Sequence, residues 1–140
     1  MIRLPPELLR TLLETRVVRG SILRFWWDTA GKHKFGIVLN AAWPESGVLL
    51  VITTSKLAFY DRVDLGGDIV RIAAGAYPCF PKDTVINLRE IIEVTIDDLV
   101  ARGDFEIAAS LSGENLAEID RKVEASALIS RKLKRRILGR

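Results

Sequence analysis

The apolar residues near the start of the chain fall at Leu8, Leu9, Leu12, Leu13 and Val17, with Arg10, Glu14 and Arg16 off the stripe. That is the period of a helix with one apolar face. Pro5 and Pro6 stand in front of it, where a first helical turn makes no use of the amide hydrogens that proline lacks. The pattern predicts an amphipathic helix over residues 5–17, ending near Gly20. From Ser21 the period changes. Residues 21–27 (SILRFWW) are rich in β-branched and aromatic side chains, and residues 28–31 (DTAG) have turn chemistry. Strands are predicted at 35–40 and 48–54, with a loop over 41–47 through Trp43-Pro44. Short strands with turn signals about every ten residues point to a barrel or sandwich.

Further along, residues 55–60 read as a helical turn or a loop, and residues 64–67 (DLGG) as a turn. A strand is predicted at 68–73. A stiff loop follows at 77–81, because each proline restricts the residue before it. Two short strands are predicted at 84–88 and 91–95, around Arg89-Glu90, and a turn of helix at 96–101. Ser112-Gly113-Glu114-Asn115 opens a final helix with the stripe Leu116, Ile119, Val123 and Ala127, which Leu128, Leu133 and Ile137 extend. There are no internal repeats. The expected fold is mainly β, a small barrel with a helix at each end.

Composition narrows the class. With 140 residues, 49% of them apolar, the chain is one domain long and able to bury a core. Its single cysteine, Cys79, permits no internal disulfide and no thiolate metal cluster, which fits a reducing compartment. The opening MIRLPPELLR lacks the apolar core of a signal peptide, and no run approaches the roughly 18 apolar residues of a membrane span. A cytoplasmic location without a membrane partner is therefore expected. The net charge is only +3, but residues 131–140 hold six of the 21 Lys and Arg and no acid. Such a basic end suits a phosphate backbone or an acidic partner. A solvated helix end whose cations complement the helix dipole accounts for it equally well.

Most catalytic templates fail. One His and one Cys do not supply a zinc site, and GxxxxGK[ST], GxGxxG and GxSxG are all absent. A Cys79–His33 nucleophile pair is conceivable, but Cys79 sits between Pro78 and Phe80, where a packed thiol fits better. Two clusters remain. Lys32-His33-Lys34 puts two cations and the only histidine at the mouth of an apolar strand. A solvated turn explains it, and so does an anion that relieves the repulsion; histidine titrates ordinarily near 6.5 and so exchanges protons near neutrality. Thr53-Thr54-Ser55-Lys56 groups three hydroxyls and an ammonium at a strand end. These residues either cap the strand locally or grip a phosphate.

The order of these pieces resembles the PemK/MazF family of bacterial toxins. GSILRFWW from Gly20 is similar to the family's first strand, and KFGIVLN from Lys34 to its segment of arginine, proline and apolar residues. VITTSK ending at Lys56 is similar to its strand ending in Thr-Thr or Thr-Ser. DTVINLREIIEVTIDDL from Asp83 and LSGENLAEIDRKVEASALI resemble its paired strands and closing helix. The likeness spans roughly residues 20–129. Lys34-Phe35 stands where the family has arginine before proline, Ser21 where an acid is common, and the leader of 19 residues is additional.

The resemblance implies an SH3-like barrel over residues 20–130, after a helical extension (1–19) and before a basic tail (131–140). It implies the toxin component of a type II toxin–antitoxin pair, a metal-independent endoribonuclease that cuts single-stranded RNA. No cofactor and no metal are expected, and the partners are RNA, a cognate antitoxin and a second copy of the chain in a homodimer. On this reading Lys34 stabilises the phosphate, Thr54 orients it and His33 carries a proton, while Lys32, Thr53, Ser55, Lys56 and Trp26 contact RNA. The alternative is a barrel that has lost cleavage and binds RNA or a protein through Trp26, Trp27 and the basic tail. A poison of another enzyme such as a topoisomerase is a third class known among relatives, and no residue argues for it.

Overall fold

The structure, a computed structural model, describes residues 5–27, 31–40, 47–56, 68–102 and 105–139, the side chain of Trp27 excepted. The turn, loop and helical-turn expectations at 28–30, 41–46 and 57–67, and the role weighed for the Trp27 side chain, lie outside the described residues. In chain order the elements are α1 (Pro6–Arg16), β1 (Ser21–Trp27), β2 (Lys32–Val38), β3 (Val48–Thr54), β4 (Ile69–Ile72), β5 (Thr84–Val94), α2 (Ile96–Arg102), β6 (Glu106–Ser110), α3 (Gly113–Ala125) and α4 (Arg131–Leu138). The strands form one antiparallel sheet in the order β4-β5-β3-β2-β1-β6, curled into a half-barrel. With four described helices the architecture is mixed α and β, compatible with a barrel bearing helices. No described helix is long and apolar enough to cross a membrane.

Both faces of the sheet are covered, which explains why its strands read as apolar runs rather than as clean alternation. Successive side chains point to opposite faces, so neighbouring residues enter different cores. Ile22, Ile37, Leu49 and Val51 join Ile119, Val123 and Ile137 from α3 and α4. Leu23, Val38, Val48 and Leu50 join Leu9, Leu13 and Val17 from the α1 segment and Ile96 and Leu99 from α2. Each such buried aliphatic side chain contributes roughly 1.5–3 kcal/mol of transfer free energy. The N-terminal helix is therefore part of the second core, and an Arg10–Asp97 ion pair links it to α2.

Four elements differ from the sequence reading. β2 starts at Lys32, so the Lys-His-Lys cluster lies in the ladder and pairs with β1 (Trp26 opposite His33) instead of preceding the strand. β5 is continuous where two strands were expected. Its register against β3 jumps between Val51 and Thr53, from Ile91 to Ile86. The chain stays extended through the irregularity because its amides find other acceptors: Arg89 N–H donates to Asn87 Oδ1 (3.0 Å) and Leu88 N–H to Asp68 O (2.8 Å). β6, which carries no strong pattern, pairs with β1. The long C-terminal stripe is two helices, because Ser130 caps a new start by accepting from Leu133 N–H.

Candidate functional site

Antiparallel pairing lays the start of β2 beside the end of β3. A groove of about 190 Å³ opens there. β2 lines it with Lys32, His33, Lys34 and Phe35, and β3 with Thr53, Thr54 and Ser55. The third wall is the loop before β5, with Cys79, Phe80, Pro81 and Lys82, and the first β5 residue Thr84. The two clusters separated by about 20 residues in sequence thus share one groove. Lys56 does not line it but stands close enough to act on the charge of Lys34. Trp26 also lies outside the lining and meets His33 edge to face, ring centroids 5.3 Å apart; it is 40% exposed.

The register Gly36↔Ile52 decides which side chains share a face. Two residues further along each strand, the alternation puts Lys34 and Thr54 on one face of the sheet. His33, Phe35 and Thr53 take the other, where Phe35 packs on the first core. The hydroxyls differ in what they have left to offer. Thr53 Oγ1 spends its proton on the Phe35 carbonyl (3.2 Å). Thr54 Oγ1 accepts from Lys56 N–H (3.1 Å), which leaves its own proton to donate into the groove.

Among the described residues the groove lining includes no carboxylate. Asp83, next to the wall, is engaged elsewhere, accepting from Ala74 N–H through Oδ1 (2.8 Å). Burial, then the nearby Lys32 and Lys56 ammonium groups, holds Lys34 below the usual lysine value. Cations crowded without a counter-charge favour an anion. Nδ1 of His33 is buried without a partner among the described residues, so nothing there fixes which ring nitrogen carries the proton. Burial pushes the Cys79 thiol up, with a backbone hydrogen bond opposing it more weakly, so this cysteine is a packed thiol and no ready thiolate. Among the described residues no three His, Cys, Asp or Glu side chains are grouped to hold a metal ion.

Sequence reasoning passed over Lys82 and Thr84 as groove residues. No spacing marks them, because they reach the groove only through the strand order β5-β3-β2. The basic C-terminus is also more than a solvated end. Arg136 binds Glu93 through both carboxylate oxygens (2.9 and 3.0 Å) and donates to Gly47 O (3.1 Å). Lys134 donates to the carbonyls of Glu124 and Ser126 (2.9 and 2.7 Å), and Ile137 is buried in the first core. Arg131, Lys132 and Arg135 are exposed. Gly47 precedes β3 and Thr54 ends it, so α4 docks at the far end of that strand from the groove, about 20 Å away at the rise of a β-strand.

No family model matches the chain, and no curated protein matches its sequence.

Proposed function

We propose that the groove binds the phosphate backbone of single-stranded RNA and cuts it without a metal ion, and that the chain is an SH3-like barrel of the PemK/MazF type acting as the toxin of a type II toxin–antitoxin pair. One observation carries this reading: three lysines, an imidazole and a donating hydroxyl line one groove that has no carboxylate among its described lining residues. In the reaction a 2′-hydroxyl attacks the neighbouring phosphorus, the bond to the 5′-oxygen breaks, and the products are a 2′,3′-cyclic phosphate and a 5′-hydroxyl. Lys34 faces the extra negative charge of the transition state. Thr54, on the same face, donates to a phosphate oxygen. His33 exchanges the proton, on its place in the groove and its unpartnered Nδ1 among the described residues. Lys32, Ser55 and Lys56 add positive charge and hydrogen bonds along the strand, and the exposed Trp26 offers a base a stacking surface. The same reading carries a cytoplasmic location, an antitoxin partner and a homodimer.

A second reading, a barrel that holds RNA without cutting it, is favoured by Lys34-Phe35. A lysine keeps the charge but lacks the fork with which arginine grips phosphate through two donors. Incubation of the protein with a long unstructured RNA in EDTA separates the two. Cleavage predicts fragments ending in 2′,3′-cyclic phosphate. RNA that is bound and stays intact supports the module, and RNA that is neither bound nor cut contradicts both.

A further inference from the structure

We infer that Lys82, on the loop leading into β5, grips a second backbone phosphate of the same RNA strand, from the side of the groove away from Lys34; this rests on the reading of the groove as an RNA site. In the sheet β3 lies between β2 and β5, so the end of β3 has Lys34 on one flank and the approach to β5 on the other. The two lysines therefore line the groove from different flanks.

The backbone that carries Lys82 is fixed on both sides. Two residues before it, Phe80 is buried and stacks edge to face on Phe35, with centroids 5.4 Å apart. Gly75 N–H donates to Phe80 O and Phe80 N–H to Tyr77 O, both at 2.9 Å. Tyr77 in turn is anchored on the start of α3, accepting from Ser112 N–H (2.9 Å) and donating to Asn115 Oδ1 (2.5 Å). Two residues after it, buried Thr84 donates its hydroxyl to Lys82 O (3.0 Å). The adjacent Asp83 carboxylate is turned to Ala74 N–H. Lys82 itself is exposed and has no ion-pair partner among the described residues.

This flank differs from the Lys34 flank in what accompanies the charge. Lys34 shares its sheet face with Thr54, whose hydroxyl proton is available, whereas the Thr84 hydroxyl on the Lys82 side is already spent. With the Thr84 hydroxyl spent and the Asp83 carboxylate turned to Ala74, Lys82 holds a phosphate in place and does no chemistry on it. Lys82 accordingly acts on affinity and on the register of the strand, and Lys34 on the phosphate that reacts.

The test uses a short single-stranded oligonucleotide with 2′-methoxy groups, which cannot be cut, so it is independent of cleavage. Binding is followed by fluorescence anisotropy across a range of salt concentrations for the wild type, Lys82→Ala, Lys82→Arg and Lys34→Ala, after thermal melts confirm that each is folded. Loss of one phosphate contact should reduce the slope of log K against log salt by about 0.7. Lys82→Ala is expected to show this reduction, and Lys82→Arg to restore the wild-type slope. A Lys82→Ala slope equal to wild type, while Lys34→Ala loses slope, overturns the role of Lys82 and leaves the groove as the RNA site. No change in either variant, or no binding by the wild type, overturns both.

Discussion

Phe35 of β2 and Phe80 of the loop before β5 meet edge to face, with ring centroids 5.4 Å apart and planes at 83°. The contact joins two walls of the groove across the end of β3, and Tyr77 extends it by stacking on Phe80 at 6.0 Å. Edge-to-face pairs add about 0.5–1.5 kcal/mol to the burial of the rings. The floor of the candidate site is thus also part of the first core, and its shape depends on large apolar side chains.

Phe80→Ala should cost about 3–5 kcal/mol of stability, the usual range for removing a buried aromatic ring. Phe80→Leu, which keeps most of the volume, should cost clearly less. Urea unfolding measures both, and at a temperature where both remain folded Phe80→Ala should bind RNA more weakly than Phe80→Leu. Equal stabilities for the two would show that the ring is not packed as described.

Lys34→Met should make the protein more stable while weakening RNA binding. The Lys34 charge is disfavoured in the fold by burial and by Lys32 and Lys56, and its folded value lies below the usual 10.5. A base whose value is lowered by folding carries its full penalty at neutral pH, and the penalty is relieved as pH rises from the folded value towards 10.5. The gain should be about 0.5 kcal/mol at low ionic strength, given the solvent screening of a partly exposed group, and should shrink with added salt. It should be flat from pH 6 to 8 and vanish near pH 10.5. A loss of stability at low salt would mean that Lys34 is a structural cation.

α4 should behave as part of the domain. Deleting residues 131–140 removes Ile137 and Leu133 from the first core, and one such side chain alone is worth about 2–5 kcal/mol. The deletion should therefore lower the melting temperature sharply. The Glu93–Arg136 pair adds a pH signature. Hydrogen bonding from Arg136 holds Glu93 below its usual 4.5 against the opposing effect of burial, with the Arg136 and Lys132 charges and a Gly47 backbone hydrogen bond adding to the lowering. A carboxylate lowered by folding contributes stability above its unfolded value and loses it as pH falls through the folded value. Glu93→Gln should remove this acid-labile part, worth at most about 1 kcal/mol for so exposed a pair. Identical pH–stability curves below pH 4.5 for the two proteins would contradict it.

Much of this was legible in the sequence because local patterns decide it. β1 and β3 fall where their runs of β-branched and aromatic residues lie, and α1 where its leucine stripe does. Lys34 and Thr54 each belong to a cluster that the sequence pattern sets at a strand end, and both line one groove. What was not legible depends on partners remote in sequence. β6 is a strand because β1 offers it an edge, and the EIAAS segment alone gives little alternation. β5 was divided at Arg89-Glu90 because the acceptors that keep it extended, Asn87 Oδ1 and Asp68 O, cannot be seen as a pattern. Lys82 carries no local signal, since only the sheet order sets it beside β3. The break between α3 and α4 was written in Ser130, whose capping side chain was overlooked within a continuous apolar stripe.

Lys34 is proposed to face the charge that develops on a reacting RNA phosphate. The direct measurement is single-turnover cleavage of an unstructured RNA in EDTA by wild type and Lys34→Ala, with binding of an uncleavable analogue measured alongside. Removing one preorganised donor to a developing charge costs on the order of 100-fold in rate. Lys34→Ala should show a loss of that size in the cleavage rate, with a much smaller loss of affinity, because an interaction made mainly in the transition state acts on the rate. Cleavage by Lys34→Ala at the wild-type rate would contradict it.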